Sequence, residues 1–599
     1  MKRRIAPGNL ALAVILLAAT IPPQYAASAQ PAPAPNKQPR VHELAYSIEP
    51  IVEGELARLH VSLTFKGDSS GNSRLLLPLK WSSGVDLYKA IRNLRSLSED
   101  IKIEDTNEPH VKIVHHRPNQ RISLTYEVVS QPPGTPLTRA VYHHPVLRSS
   151  YFYVMGQALW IYPDMPESTP LQLSLHWKNI PEGWALINSF GAGQPRQKVN
   201  VTLNDFRRGT FLAGEYRIKR FMVNRQPVYA VTRGSFGFSD EEFNDTVKQL
   251  MQFTRDLWNS HDFPHYYVVL LPTDESVRIH AGEGRTNSFS LYLSKDLTTL
   301  AEHRRTLAHE LFHAWNPQRL GAFEVIGGVE DERLYWFSEG FTDYYASVLL
   351  LRAGLISLED YLAGYNSLTK EYYTSPIRLL TAAEMVRKRQ TSYEVDRLFY
   401  KRGAMLAHYW DNAIRSRTNN KSSLDDVMRS LLKSAKTRGV SLSHKRIADA
   451  LRPYLGEKGA SDIEKYIDRG ELVPAENFFG LCAIAEVLNY HPWDMGFDVE
   501  TFAKSRGISG VVPNSNAYRA GLRDGQKWVS GGFVWGDPNR LTKLTVIEGD
   551  TQKVVQFYPA ATEAIRLPQY KLKPDLSVEE RVRCLSQLGV PTAHQKATK

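Results

Sequence analysis

From position 41 to about 219, apolar and polar residues alternate in short runs. Residues 57–65, 121–129 and 171–177 each alternate at period two, the pattern of a strand with one buried face. Turn-forming clusters such as Gly67-Asp-Ser-Ser-Gly-Asn-Ser73 separate the runs. Strands at this spacing predict an antiparallel β-sandwich. The period changes after Phe238. Asp240-Glu-Glu-Phe-Asn opens a helical stretch in which Phe243, Val247, Leu250, Phe253 and Leu257 recur at three- and four-residue steps. A short buried strand is expected at 266–271, and mostly helix from about 297 to 466. Near Val473 a third unit begins. Its stretch 508–525 reads as strand, turn, short helix and glycine-containing turn, and a last short helix is expected from Val578 to Leu588.

The predicted architecture is therefore multidomain α+β. It comprises an N-terminal antiparallel β-sandwich (41–220), a mostly helical second domain (221–472), a third domain (473–575) and a C-terminal helix and tail (576–599). The chain has 599 residues, 42% hydrophobic and 23% charged, which excludes wholesale disorder and collagen-like or coiled-coil classes. Its formal net charge of +11 comes without long basic runs, so no nucleic-acid partner is expected. Residues 1–29 read as a signal peptide: Lys2, Arg3 and Arg4, an apolar stretch from Leu10 to Ile21, then Ala27-Ser28-Ala29. A Pro-rich linker follows (30–40). The expectation is an exported protein, periplasmic or secreted, with no transmembrane segment once the signal is removed. The two cysteines, Cys482 and Cys584, are too few for a disulfide scaffold; a bond between them and two free buried thiols are both compatible with the sequence.

The strongest chemical signal is Leu307-Ala-His-Glu-Leu-Phe-His-Ala-Trp315. His309 and His313, four apart, share one face of a helix and can reach one ion. Glu310 points to the same mouth, where it can take a proton from metal-bound water. Zinc suits two imidazoles and a carboxylate with one position left open. The third ligand should come from Trp336-Phe-Ser-Glu-Gly-Phe-Thr-Asp-Tyr-Tyr-Ala346. A carboxylate on so apolar a segment is costly unless paired or metal-bound, which selects Glu339 over Glu324, Glu330, Asp331 and Glu332 in the charged loop before it. Asp343, one turn later, can accept the outer N–H of a ligating histidine.

These residues, 309–320 with 337–345, resemble the glycyl aminopeptidase family of gluzincin metallopeptidases. The resemblance implies an N-terminal β domain, a thermolysin-like catalytic domain and a C-terminal PDZ domain. It also implies an aminopeptidase, and a preference for small N-terminal residues. By motif, His309, His313 and Glu339 would bind Zn2+ and Glu310 would act as general base and then acid. Tyr400, in Tyr400-Lys-Arg-Gly403, would stabilise the oxyanion. The family's Gly-Gly-Leu-Glu-His segment is here reduced to His280-Ala-Gly-Glu-Gly284. Gly282 and Glu283 are thus candidates for holding the substrate backbone and its free amine, with Glu283 as a loop charge beside Arg285 the other reading. Ser515-Asn-Ala517, Ala520-Gly-Leu522 and Gly525-Gln526 resemble PDZ sequence, which implies a peptide C-terminus as a further ligand or a purely structural role. A zinc endopeptidase without an amine clamp, and a PDZ-mediated binding protein with an idle zinc site, remain alternatives to the aminopeptidase.

Overall fold

In a computed structural model, residues 41–591 are described, apart from 133, 278–280, 327–328, 476–479 and 481. The expected signal peptide and linker, His280 and the end of the tail lie outside the described residues. The fold is multidomain α+β, with β-sheets in the N-terminal part and helices in much of the remainder.

The N-terminal part is built around a six-stranded sheet. Its strands are β1 (His42–Glu53), β2 (Leu56–Lys66), β3 (Ile91–Ser96), β4 (Arg121–Val129), β5 (Pro170–Trp177) and β6 (Arg196–Thr202), in the order β6-β5-β1-β2-β4-β3. Four- and five-stranded sheets complete this part. The alternating residues point inward as their period requires: Leu59, Val61, Leu63 and Phe65 are buried with Ile122, Leu124, Tyr126 and Val128. The expected antiparallel arrangement is corrected at one pair, since β1 runs parallel to β5, from His42 opposite Leu171 to Ile48 opposite Trp177. Period-two burial is the same in either strand direction, so alternation does not encode this.

A second sheet lies under the catalytic helices. It comprises β7 (Arg217–Val223), β8 (Gln226–Thr232), β9 (Tyr266–Thr273), β10 (Ala281–Arg285) and β11 (Ser288–Ser294), ordered β7-β8-β9-β11-β10, so β10 is an edge. β8, β9 and β11 are parallel neighbours. One face packs against α1 (Asp240–Trp258), whose Phe243, Val247, Leu250 and Leu257 are buried. Ser239 caps α1 by accepting from the Glu242 amide. On the other face, Tyr267, Leu271 and Tyr292 meet Tyr142, Tyr153 and Tyr216 of the N-terminal part in an aromatic seam.

The zinc-motif helix α2 (Arg304–Phe312) is followed by a π-turn at Trp336–Gly340, α3 (Phe341–Arg352), α4 (Leu358–Thr374) and α5 (Tyr393–Thr418). Beyond them, Met495, Phe502, Ala517, Leu522, Val546 and Phe557 form a separate small core. The strand expected at Ile508 does not form. Ile508 is buried but makes backbone hydrogen bonds only with Gln526 and Gly525, flanking the short helix Asn516–Arg519. Cys482, Tyr570 and Cys584 join the catalytic core instead. Cys482 and Cys584 form a disulfide closing 102 residues of chain. It fastens the C-terminal helix α6 (Val578–Gln587).

Candidate metal centre and active site

His309 lies in the last turn of α2 and His313 caps that helix, still with right-handed helical dihedrals. Their Nε2 atoms are 3.0 Å apart. Glu339 comes from the π-turn, and its Oε2 lies 3.4 Å from His309 Nε2 and 3.3 Å from His313 Nε2. Single widenings of a helix of this kind recur at functional sites. The other ring nitrogens point outward: His309 Nδ1 lies 2.8 Å from Asp343 Oδ1, and His313 Nδ1 2.7 Å from the Asn316 carbonyl. With Nδ1–H given to these acceptors, each Nε2 is the nitrogen free to bind an ion, and without one the same nitrogens face the Glu339 carboxylate as protonated donors. Three donors about 3.3 Å apart fit one tetrahedral ion with bonds of about 2.0–2.1 Å. Among the described residues this is the one His/Cys/Asp/Glu group with such convergence. Glu324, Glu330, Asp331 and Glu332 are not part of it.

The electrostatics follow from mutual burial. Desolvation pushes His309 down, but Asp343 and Glu339 outweigh it and hold the ring up at about 10. Desolvation opposes ionisation of Glu339, and the two histidines reverse that, keeping its carboxyl well below the usual range. Glu310 is raised by burial, against the pull of His309 and His313. Its side chain packs on Gly282 of β10, where a Cβ would stand 2.0 Å from Glu310 Cγ. Only glycine lets this edge strand lie so close to the metal helix.

Tyr400 stacks on His309, with centroids 5.9 Å apart and rings 14° from parallel. Burial, then the nearby Glu339, raises its hydroxyl well above the ordinary value, so it stays a donor. The glycine of Tyr400-Lys-Arg-Gly403 has a steric cause. A Cβ on Gly403 would lie 1.9 Å from the Trp336 carbonyl, and one on Gly340 would lie 2.4 Å from Gly403 Cα. α5 and the π-turn thus touch backbone to backbone, which brings Tyr400 and Glu339 to one place.

Glu283 is not a loop charge. It sits on β10, with its carboxylate 3.1 Å from the buried Arg285 and 3.7 Å from His143. It also accepts from the Trp81 indole and, at 3.4 Å, from the Tyr292 hydroxyl. Trp81 and His143 reach it from the N-terminal part.

Several contributors escape sequence reasoning. Asn316 is fully buried; its amide donates to the Phe337 and Ser338 carbonyls and to Thr342 Oγ1, tying the end of the metal helix to the π-turn. Its place before Pro317 in an apolar run is the available signal. Arg305 lies 3.0 Å from Asp343 Oδ2, and its spacing of four from His309 is the corresponding hint. Nothing local marks Trp81 or His143.

Two histidines from one helix, a glutamate from the next helical segment and an acid supporting the first histidine define a zinc metallopeptidase of the gluzincin type. Residues 302–423 match the family model described as M61 glycyl aminopeptidase. No curated protein matches the chain. Among solved structures, an aminopeptidase N family protein from Idiomarina loihiensis shares the fold. It is 17% identical with a TM-score of 0.68, over 91% of this chain and 100% of that one. An M1 zinc metallopeptidase from Deinococcus radiodurans is 15% identical with a TM-score of 0.44, over 73% and 95%. No helix among the described residues is long and apolar enough to cross a membrane.

Proposed function

We propose that the protein is an exported zinc aminopeptidase that removes small residues from peptide N-termini. The observation carrying this is the convergence of His309, His313 and Glu339, with Glu310 and Tyr400 on either side. His309, His313 and Glu339 would hold zinc, which would supply Lewis-acid chemistry for the scissile carbonyl and for water activation. Glu310, raised by burial, takes a proton from the attacking water and returns it to the leaving amine. Tyr400 donates its hydroxyl hydrogen to the developing oxyanion. The free edge of β10 aligns an extended substrate, with Gly282 admitting the backbone close to Glu310 and Glu283 facing the substrate's ammonium. The Cys482–Cys584 bond fits an oxidising compartment, and the separate core at 495–557 fits a PDZ-like module taking a peptide C-terminus.

A second reading, endopeptidase, is favoured by the state of Glu283: Arg285 and Trp81 already engage the carboxylate an ammonium would need. Metal analysis joined to paired cleavage of a peptide and its N-acetylated form separates the two. Zinc at one per chain, with cleavage of the free peptide alone, supports the aminopeptidase. Equal cleavage of both forms establishes the endopeptidase.

A further inference from the structure

Behind the metal ligands lies a cavity of about 210 Å³ between the start of α2 and helices α3, α4 and α5. Its charged lining residues are Arg305, Arg397 and Lys401 and the acids Asp343 and Glu371. His309, His313, Glu310, Glu339 and Tyr400 are not among its walls. Asp343 stands between the cavity and the metal centre, so this is a compartment apart from the substrate cleft.

Its charges do not cancel. Arg305 pairs with Asp343 at 3.0 Å and Lys401 with Glu371 at 3.2 Å. Arg397 has no ion pair or hydrogen bond among the described residues. Its guanidinium lies over the Tyr400 ring, 4.4 Å from the centroid, and it feels Asp343 and Asp396 only at longer range. Asp396 does not line the cavity and pairs at 3.4 Å with Arg389, which Glu332 shares at 3.4 Å. Arg397 and Lys401 are one helical turn apart on α5, where like charges repel. Among the residues lining this partly enclosed space, three cations face two acids, and each acid is already paired.

We propose that this cavity is a binding site for a small oxyanion of phosphate or sulfate size. The volume corresponds to roughly seven waters at about 30 Å³ each, enough for such an ion with part of its hydration. A guanidinium fork and an ammonium from one helix face, with Arg305 opposite, supply charge-assisted donors that such an ion accepts. The Ser347 hydroxyl on α3 adds a neutral donor at the wall. Lys401 is held by a half-exposed carboxylate, Glu371, which is the weakest of the existing pairs to displace. The occupied site would lie one ion pair from Asp343 and one ring contact from Tyr400.

The test is a calorimetric titration of the zinc-loaded full-length protein with inorganic phosphate, in wild type, Lys401→Met and Glu371→Gln. Lys401 follows Tyr400 in the chain, but neither side chain has an ion pair or hydrogen bond with the metal ligands, Glu310 or Tyr400. Zinc stoichiometry and far-UV circular dichroism check that each variant is folded. Saturable one-site binding is expected, weakened about tenfold in Lys401→Met and tightened about threefold in Glu371→Gln, where the competing carboxylate is gone. The tightening guards against reading a damaged variant as a lost site. Binding indifferent to both substitutions would place phosphate on the zinc alone and overturn the proposal, as would no saturable binding below about 10 mM.

Discussion

Tyr400 owes its position to two contacts on its ring: the stacked His309 imidazole and the Arg397 guanidinium over its face. Because these contacts hold the ring rather than the hydroxyl, Tyr400→Phe should keep its place and lose only the donor. The expected result is a fall in kcat of about 10²–10³-fold with KM nearly unchanged, the mark of a hydrogen bond made in the transition state. His408 gives a second prediction. Burial, with Arg305 nearby, pushes it down to about 3, against about 6.5 in an unfolded chain. Between those values the unfolded state binds the extra proton. Stability from the neutral ring is thus full above about pH 6.5 and is lost as pH falls toward 3, by about 1.4 kcal/mol per pH unit. Urea unfolding at pH 7 and pH 5 should show a slope shallower by that amount in His408→Gln. The convergence of the candidate metal ligands was legible because their chemistry is local: a spacing of four, and an acid stranded on an apolar segment. Asn316 and Arg305 were not, because their roles depend on which helix ends meet in space.

The elements read well where period alone decides them. The strands at 57–65, 121–129 and 171–177 and the helix opening at Asp240 follow the inward-facing residues. Strand direction was not legible, as β1 and β5 illustrate. Nor was the π-turn at Trp336–Gly340, because an extra residue in a helical stretch buried on nearly every side shifts no exposed face. Its cause is the backbone contact of Gly340 with Gly403. Gly403→Ala would force α5 away from the Trp336 carbonyl, since neither wall is a flexible side chain. Overpacking of this kind costs about 1–3 kcal/mol. The displacement falls on the turn carrying Glu339, so zinc affinity should drop by about 10–100-fold. Thermal unfolding of the zinc-free protein and a competition titration for zinc measure the two effects separately. An alanine variant with unchanged zinc affinity would show that the turn is set elsewhere.

At the scale of the molecule, the aromatic seam between the N-terminal part and the catalytic sheet does more than hold two bodies together. It carries Trp81 and His143 to Glu283 on β10, the strand that runs beside Glu310. Arg285 and Arg208 lie over the Trp81 ring, at 4.7 Å and 5.9 Å from its centroid. The Glu283 carboxylate therefore faces an arginine, an indole and a histidine, and the N-terminal part supplies the indole and the histidine, whose burial favours its neutral form. Removing the indole leaves the Glu283–Arg285 pair intact but opens the space beside it. If Glu283 holds the substrate's free amine, Trp81→Ala loosens that end alone. KM for free-amine peptides should rise by about tenfold, kcat should hold, and cleavage of an N-acetylated peptide should rise from its low baseline as the blocked end gains room. Zinc content should be unchanged, because no metal ligand touches Trp81. A parallel loss on free and blocked peptides would instead mean that Trp81 braces β10 as a whole, and that the amine is bound elsewhere along the cleft.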